Sequence, residues 1–217
     1  MNIEIKKPLL IGVTGYKGSG KDTFAEIIKE FMGDMPKSVP MNWLTPTSDK
    51  VHMHAFGDTL KRACSIMYNI PIHYFYDNEK KAMKLDRYPF CTIREVMTGI
   101  GTDAVRRVFE DTWVESTRYN IEKSLNHYEP PVVFVTDVRY PNNEAKLIKE
   151  LGGVMVRIFN PHVPRTSDHS SEALIDQIHC EYGITNNMDD DFWPKSCELF
   201  KFIVQDHNER VAKEEAQ

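Results

Sequence analysis

Near the N-terminus stands Gly15-Tyr16-Lys17-Gly18-Ser19-Gly20-Lys21-Asp22-Thr23, a G-x-x-x-x-G-K spacing. Residues of these types at these intervals suit the holding of phosphate. Glycine admits positive φ, so Gly15, Gly18 and Gly20 let successive backbone N–H groups, with that of Ser19 among them, turn toward one anion. Lys21 adds a positive point charge where a helix would begin, and the start of a helix is itself favourable to anions. The residue after Lys21 is Asp22 rather than Ser or Thr, and Thr23 follows it. Thr23 is then a hydroxyl for Mg²⁺, directly or through water, and Asp22 a carboxylate for the metal's surroundings or for orienting an acceptor.

A second group is Thr136-Asp137-Val138-Arg139-Tyr140-Pro141-Asn142-Asn143-Glu144. It follows an apolar run, and in open α/β sheets ligands gather at the carboxyl ends of strands. Asp137 and Arg139 are therefore expected in the same crevice as the glycine-rich loop. The plainer alternative is an aspartate capping a helix beside a surface arginine. Arg94 in Thr92-Ile-Arg-Glu95, a Gly101-Thr102-Asp103 turn, Arg106, Arg107 and Trp113 lie within one stretch. There arginine forks can grip a phosphate and an indole can stack on a base. Taken singly, each arginine also reads as a solvated helix residue and Trp113 as core. In Phe56-Gly-Asp58-Thr-Leu-Lys61-Arg62, Asp58 is expected to cap a helix, with Lys61 and Arg62 as phosphate-binding cations one turn on.

His52 and His54 share a strand face by the period of two but have no third ligand at metal spacing, so no zinc site is expected. Asp189-Asp190-Asp191 reads as the solvated start of a helix. The polar stretch 160–172 includes Arg165, His169 and Glu172. Its composition suits a lid closing over ATP, with Arg165 meeting charge on the group in transit; an ordinary loop fits it too.

These groups need elements to hold them. Residues 9–14, Leu-Leu-Ile-Gly-Val-Thr, form the near-continuous apolar run of a parallel strand buried on both faces. Residues 23–32 carry Phe24, Ile27, Ile28 and Phe31 at helical spacing. Further strands are expected at 51–56, 131–136, 154–159 and 182–185. A helix is expected over 141–151, with Pro141 at its first turn and Gly152-Gly153 after its end. Phe192, Ser196, Leu199, Phe200, Ile203 and Val204 mark one face of a last helix. Strand–helix alternation toward both ends of the chain implies a parallel sheet covered by helices. Between 57 and 128 the pattern is helical, with breaks at Pro71, Pro89 and 99–101.

A length of 217 residues suits one domain, and 41% hydrophobic with 27% charged residues is an ordinary globular balance. No apolar run approaches the roughly 18 residues of a membrane span. The first residues lack the pattern of a secretory signal, so a cytoplasmic location is expected. The net charge of −5 disfavours binding along a nucleic acid backbone. Cys64, Cys91, Cys180 and Cys197 are far apart without C-x-x-C, which suits reduced thiols.

The motifs G-Y-K-G-S-G-K-D-T, F-G-D-T-L-K, T-I-R-E-V-M, G-I-G-T-D, D-T-W-V, T-D-V-R-Y-P-N-N-E and D-H-S-S-E occur in the order seen in phage-type deoxynucleoside monophosphate kinases. The resemblance covers most of residues 9–190. It implies an α/β P-loop kinase fold over 1–217, a central parallel sheet flanked by helices, with 57–128 as a helical acceptor-binding excursion and 160–172 as a short lid. It also implies ATP-dependent, Mg²⁺-assisted phosphorylation of deoxynucleoside monophosphates. Gly15, Gly18, Ser19, Gly20, Lys21, Asp22 and Thr23 then belong to the ATP side, and Thr23 and Asp137 to the metal. Lys21, Asp22, Arg139 and Arg165 serve the transfer. Arg62, Arg94, Gly101, Thr102, Trp113, Asp137, Arg139 and Glu144 serve the acceptor. One departure is the doubled Asn142-Asn143, where that family usually has Pro-Asn-Glu. The expected partners are ATP and a deoxynucleoside monophosphate, without nucleic acid or membrane, in the host cytoplasm if phage-encoded, with a homodimer as one option. Two other functions stay open: another P-loop small-molecule kinase, such as one for a coenzyme precursor, and a nucleotide-gated binding module. A guanine-selecting switch would carry N-K-x-D, which this chain lacks.

Overall fold

Leu9–Thr14 forms strand β1, buried at every position, as an apolar run without polar alternation requires. The computed structural model describes residues 3–33, 50–127, 132–164 and 174–216. They fall into two compact units, Met1–Ala55 with Asn120–Gln217, and Phe56–Tyr119.

The first unit is built on a five-stranded sheet. Its other strands are β2 (Val51–His54), β3 (Val132–Val138), β4 (Val154–Phe159) and β5 (Tyr182–Thr185), in the order β2-β3-β1-β4-β5. Every pairing is parallel. Helix α1 (Lys21–Phe31) and the last helix, α7 (Phe192–Glu215), cover one face. There Leu9, Ile11 and Val13 bury themselves with Phe24, Ile28, Phe200 and Ile203. Phe24 meets Phe134 edge-on at 6.0 Å, and Phe31 meets Phe200 at 6.4 Å. Helix α6 (Lys146–Glu150) lies against β1 and β4 through buried Leu147 and Ile148. This is the P-loop kinase form of α/β architecture, with β1 at the centre and the glycine-rich loop leaving its carboxyl end.

Some boundaries differ from expectation, and α1 already starts at Lys21 and not at Thr23. Strand β2 stops at His54 because Phe56 already has helical backbone, φ −59° and ψ −31°. Strand β3 runs on to Val138 with a register shift: Gly12 faces Val135, but Thr14 faces Val138. One extra residue of β3 is therefore inserted at Thr136–Asp137, a bulge of the kind that re-aims side chains beside sites. The helix expected over 141–151 opens with a wide π-type turn, Pro141–Ala145, before α6 begins.

The second unit contains α2 (Gly57–Tyr68), a 3₁₀ turn (Ile72–Phe75), α3 (Asn78–Ala82), α4 (Ile93–Thr98), a π-type segment (Gly99–Arg106) and the start of α5 (Thr112–His127). It has its own buried cluster of Cys64, Ile70, Phe75, Ile93 and Val96. Burial pushes the Cys64 thiol up to about 11. Helix α4 starts with a capping box between Thr92 and Glu95, and the Thr92 backbone N–H, then its hydroxyl, hold the Glu95 carboxyl below its ordinary range. The break expected at 99–101 is overturned: the helix continues through both glycines in widened form. Gly101 is needed there for packing, since a Cβ on it would lie 2.5 Å from Leu60 Cδ2. The four cysteines are unpaired. Among the described residues no helix is long and apolar enough to cross a membrane.

Candidate active site

The loop after β1 has the shape that its glycines allow. Gly15, Gly18 and Gly20 take φ of +151°, +83° and +100°. Gly15 also passes close to β4, where a Cβ would fall 2.4 Å from the Ile158 carbonyl oxygen. The loop closes on itself through Ser19 N–H, which donates to Tyr16 O at 3.0 Å, and α1 starts with Phe24 N–H donating to Gly20 O at 2.9 Å. Lys21 is only 8% exposed. Its ammonium lies across the loop, donating to Gly15 O at 2.7 Å and to Tyr16 O at 2.9 Å. Asp22 and Thr23 are exposed on the first turn of α1, whose leading N–H groups lack helical acceptors and favour an anion.

Beside this loop runs the carboxyl end of β3. Because Thr14 pairs with Val138, Asp137 and Arg139, both partly exposed, stand at the same edge of the sheet as the glycine-rich loop. Glu144 is different, being 2% exposed. Its Oε2 accepts the Arg139 N–H at 2.8 Å and the Tyr140 N–H at 3.2 Å, so its carboxylate fixes the backbone of the turn that carries Arg139. The doubled asparagine explains the π-type turn. Ala145 N–H reaches back five residues to Tyr140 O at 3.0 Å, and Asn143 Oδ1 accepts the Glu144 N–H at 2.8 Å. The widened turn takes up the doubled asparagine and keeps the Glu144 carboxylate against the N–H groups that follow β3.

In the helical unit, Arg62 is exposed on α2 and Arg94 half-exposed in the first turn of α4. Trp113 and Gly101 are brought together: the indole N–H donates to Gly101 O at 3.1 Å, and Trp113 is 6% exposed. Trp113 is thus core in this unit, with its polar edge engaged on the π-type segment, while Thr102 within that segment is exposed. Asp58 is not the cap that its position suggests. It lies inside α2, accepting from Lys61 Nζ at 3.0 Å and from the Tyr76 hydroxyl at 2.7 Å. Lys61 also sits 4.1 Å over the Tyr76 ring, so this cation is held locally.

Several relationships could not be read from spacing. His52 Nδ1 and His54 Nε2 both meet the Ser124 hydroxyl, at 3.0 and 2.8 Å, which gives the two rings a common partner in the fold. Tyr16 of the glycine-rich loop is hydrogen-bonded to Asp176. Of the expected lid at 160–172, residues 165–172 lie outside the described residues, and with them Arg165, His169 and Glu172.

No protein-family model matches the chain. A protein of Acanthamoeba polyphaga mimivirus, named as a deoxynucleotide monophosphate kinase, is 31% identical over 180 residues, covering 78% of this chain and 83% of its own length. Deoxynucleoside-5′-monophosphate kinase of Escherichia phage T5 is 23% identical over 240 residues, covering 83% and 90%. Among solved structures, shikimate kinase from Acinetobacter baumannii in complex with shikimate aligns over 93% of this chain and 95% of its own, with a TM-score of 0.42 at 12% identity. With the mimivirus protein 31% identical over most of both lengths, the chain belongs to the deoxynucleotide monophosphate kinase family.

Proposed function

We propose that this nucleotide kinase transfers the γ-phosphoryl group of ATP to the phosphate of a deoxynucleoside monophosphate. One observation carries the reading: the β1–β3 pairing sets Thr14 beside Val138, so a phosphate-holding loop and a carboxylate–arginine pair share one sheet edge. Gly15 to Lys21 hold the β- and γ-phosphates of ATP through backbone N–H groups. Lys21, whose ammonium rests on Gly15 O and Tyr16 O, exchanges those carbonyls for phosphate oxygens as the nucleotide enters. Thr23 and Asp137 offer hard oxygen donors of the kind Mg²⁺ takes, one or two from protein with phosphates completing the set. Mg²⁺ bound there would offset negative charge on the β- and γ-oxygens.

The acceptor is a phosphate with a second pKa near 6, so its oxygen is already anionic at neutral pH and needs no general base. Asp22 accordingly orients and does not take a proton. Arg139 meets the phosphoryl group in transit, held by the Glu144 brace behind it. Arg62, Arg94 and Thr102 bind the deoxynucleotide, and Trp113 with Gly101 shapes their support.

Turnover of ATP with each deoxynucleoside and ribonucleoside monophosphate, measured by ADP release, tests this reading. Lys21→Ala should fall below about a tenth of wild-type turnover at saturating ATP. A wild-type protein that phosphorylates no deoxynucleoside monophosphate, or a Lys21→Ala variant that keeps its rate, refutes the proposal.

A further inference from the structure

Asn186 follows β5, and no motif marks it. It is 4% exposed, and its polar atoms are engaged in three directions. The backbone N–H donates to Phe159 O at 2.7 Å. The side-chain Nδ2 donates to Ser19 O at 3.0 Å, and Oδ1 accepts the Met188 N–H at 2.9 Å. These partners fix which end of the carboxamide is which, since Met188 offers a hydrogen and Ser19 a lone pair. Gly20 shows how close the contact is. At φ +100°, a Cβ on Gly20 would lie 2.3 Å from Asn186 Nδ2, so glycine at 20 and asparagine at 186 fit one another.

We infer that Asn186 is a positioning residue of the phosphate loop, which aims the Gly20 N–H at a phosphate oxygen of the nucleotide. In a planar trans peptide the C=O and the following N–H point in opposite directions. Asn186 holds the Ser19 carbonyl on its own side, so the Gly20 N–H points away from Asn186, as a cradle of N–H groups needs. Without the carboxamide the peptide can rotate, and a rotated peptide turns a carbonyl oxygen toward the phosphate. The same carboxamide holds Met188 at φ +62°, a region few non-glycine residues enter. One buried side chain thus joins the phosphate loop to the turn after β5.

The inference rests on the kinase reading, and ATP binding to Asn186→Ala and Asn186→Asp separates the two. Calorimetry at about pH 8 should show both variants about tenfold or more weaker than wild type for ATP, the usual loss when a buried partner is removed. The KM for the deoxynucleotide should move by less than about twofold, because a donor-side contact leaves the acceptor's binding alone. The aspartate variant adds a signature that packing cannot produce. A carboxylate repels the Ser19 carbonyl, whereas a protonated carboxyl donates to it, so the pKa of the new group is raised above about 4. The donor is present below that raised pKa and lost as pH rises through it. Normalised to wild type at each pH, ATP affinity of Asn186→Asp should recover from about pH 8 to pH 5 while Asn186→Ala stays flat. What is compared is the trend of each variant with pH, so neither variant needs wild-type stability. Wild-type binding with both variants unaffected, or Asn186→Asp as flat as Asn186→Ala, overturns the role of Asn186 alone. A wild type that binds no ATP overturns the kinase reading as well.

Discussion

Tyr16 donates its phenolic hydrogen to Asp176, 2.9 Å away and 160 positions along the chain. The other carboxylate oxygen of Asp176 accepts from Arg157 at 3.1 Å, and Arg157 also donates to the carbonyls of Ile175 and Ile178, at 3.0 and 2.6 Å. Arg157 in turn pairs with Thr14 in the sheet. The second residue of the phosphate loop is thereby anchored from outside the loop, through a turn organised by an arginine of the neighbouring strand.

Tyr16→Phe keeps the ring and removes one hydrogen bond, a net loss of about 0.5–1.5 kcal/mol. The KM for ATP should rise about two- to tenfold with little change in kcat. Asp176→Ala, which also removes the Arg157 contact, should raise it at least as much, and the double variant should lose less than the sum of the two, since both remove the Tyr16–Asp176 hydrogen bond. Strictly additive effects in steady-state kinetics would show that the residues act apart.

Glu144→Ala removes the acceptor of the Arg139 and Tyr140 N–H groups at a buried position. Stability should fall by about 1–3 kcal/mol, and kcat should fall with it because the turn carrying Arg139 loosens. Glu144→Gln, which keeps an acceptor, should be milder on both counts. Urea unfolding beside turnover is the measurement; an alanine variant with unchanged midpoint and rate would mean that the brace does not position Arg139.

Arg94 and Arg139 should divide the acceptor's needs. Arg94→Ala should raise the KM for the deoxynucleotide and leave that for ATP nearly unchanged, because it removes a contact made alike in ground and transition states. Arg139→Ala should mainly lower kcat. Lysine should rescue each poorly, since an ammonium lacks the planar fork. If Arg94→Ala raises the KM for ATP instead, Arg94 belongs to the donor side.

His207 on α7 is 8% exposed, and its Nε2–H donates to Lys7 O at 2.9 Å. Burial, the largest cause, holds its pKa below the ordinary 6.5, against the pull of that hydrogen bond. For a histidine with a depressed folded pKa, the stabilisation is complete above the unfolded pKa. It is lost as pH falls through the folded value, because the unfolded chain takes the proton first. Wild-type stability should therefore drop between about pH 7 and 5 more steeply than that of His207→Gln. Denaturation midpoints across that range decide it, and parallel curves for the two proteins would remove His207 from the account.

The sheet was legible where burial on two faces leaves a plain mark. Residues 9–14 and 154–159 are strands with the expected ends, and the apolar run from Val132 is a strand too. What misled was local chemistry read without its neighbours. Glycines at 99 and 101 suggested a break, yet Gly101 is there because Leu60 comes close and Trp113 needs its carbonyl. Asp58 looked like a cap until Lys61 and Tyr76 claimed it. The glycine-rich loop was legible because all its parts are consecutive. Its supports, Asp176 and Asn186, were not, since each lies more than a hundred residues away and nothing in a single sequence ties positions so distant.

Strand order also sets a timetable for synthesis. Strand β1 is the first to leave the ribosome, yet both its neighbours come late, β3 from Val132 and β4 from Val154. At roughly 5–20 residues per second, the apolar segment Leu9–Thr14 waits about 6–24 s for a strand to join. The helical unit Phe56–Tyr119, with a buried cluster of its own, is fully translated before the centre of the sheet can form. The strand at the centre of the finished sheet is thus the one that waits longest for a strand partner during synthesis.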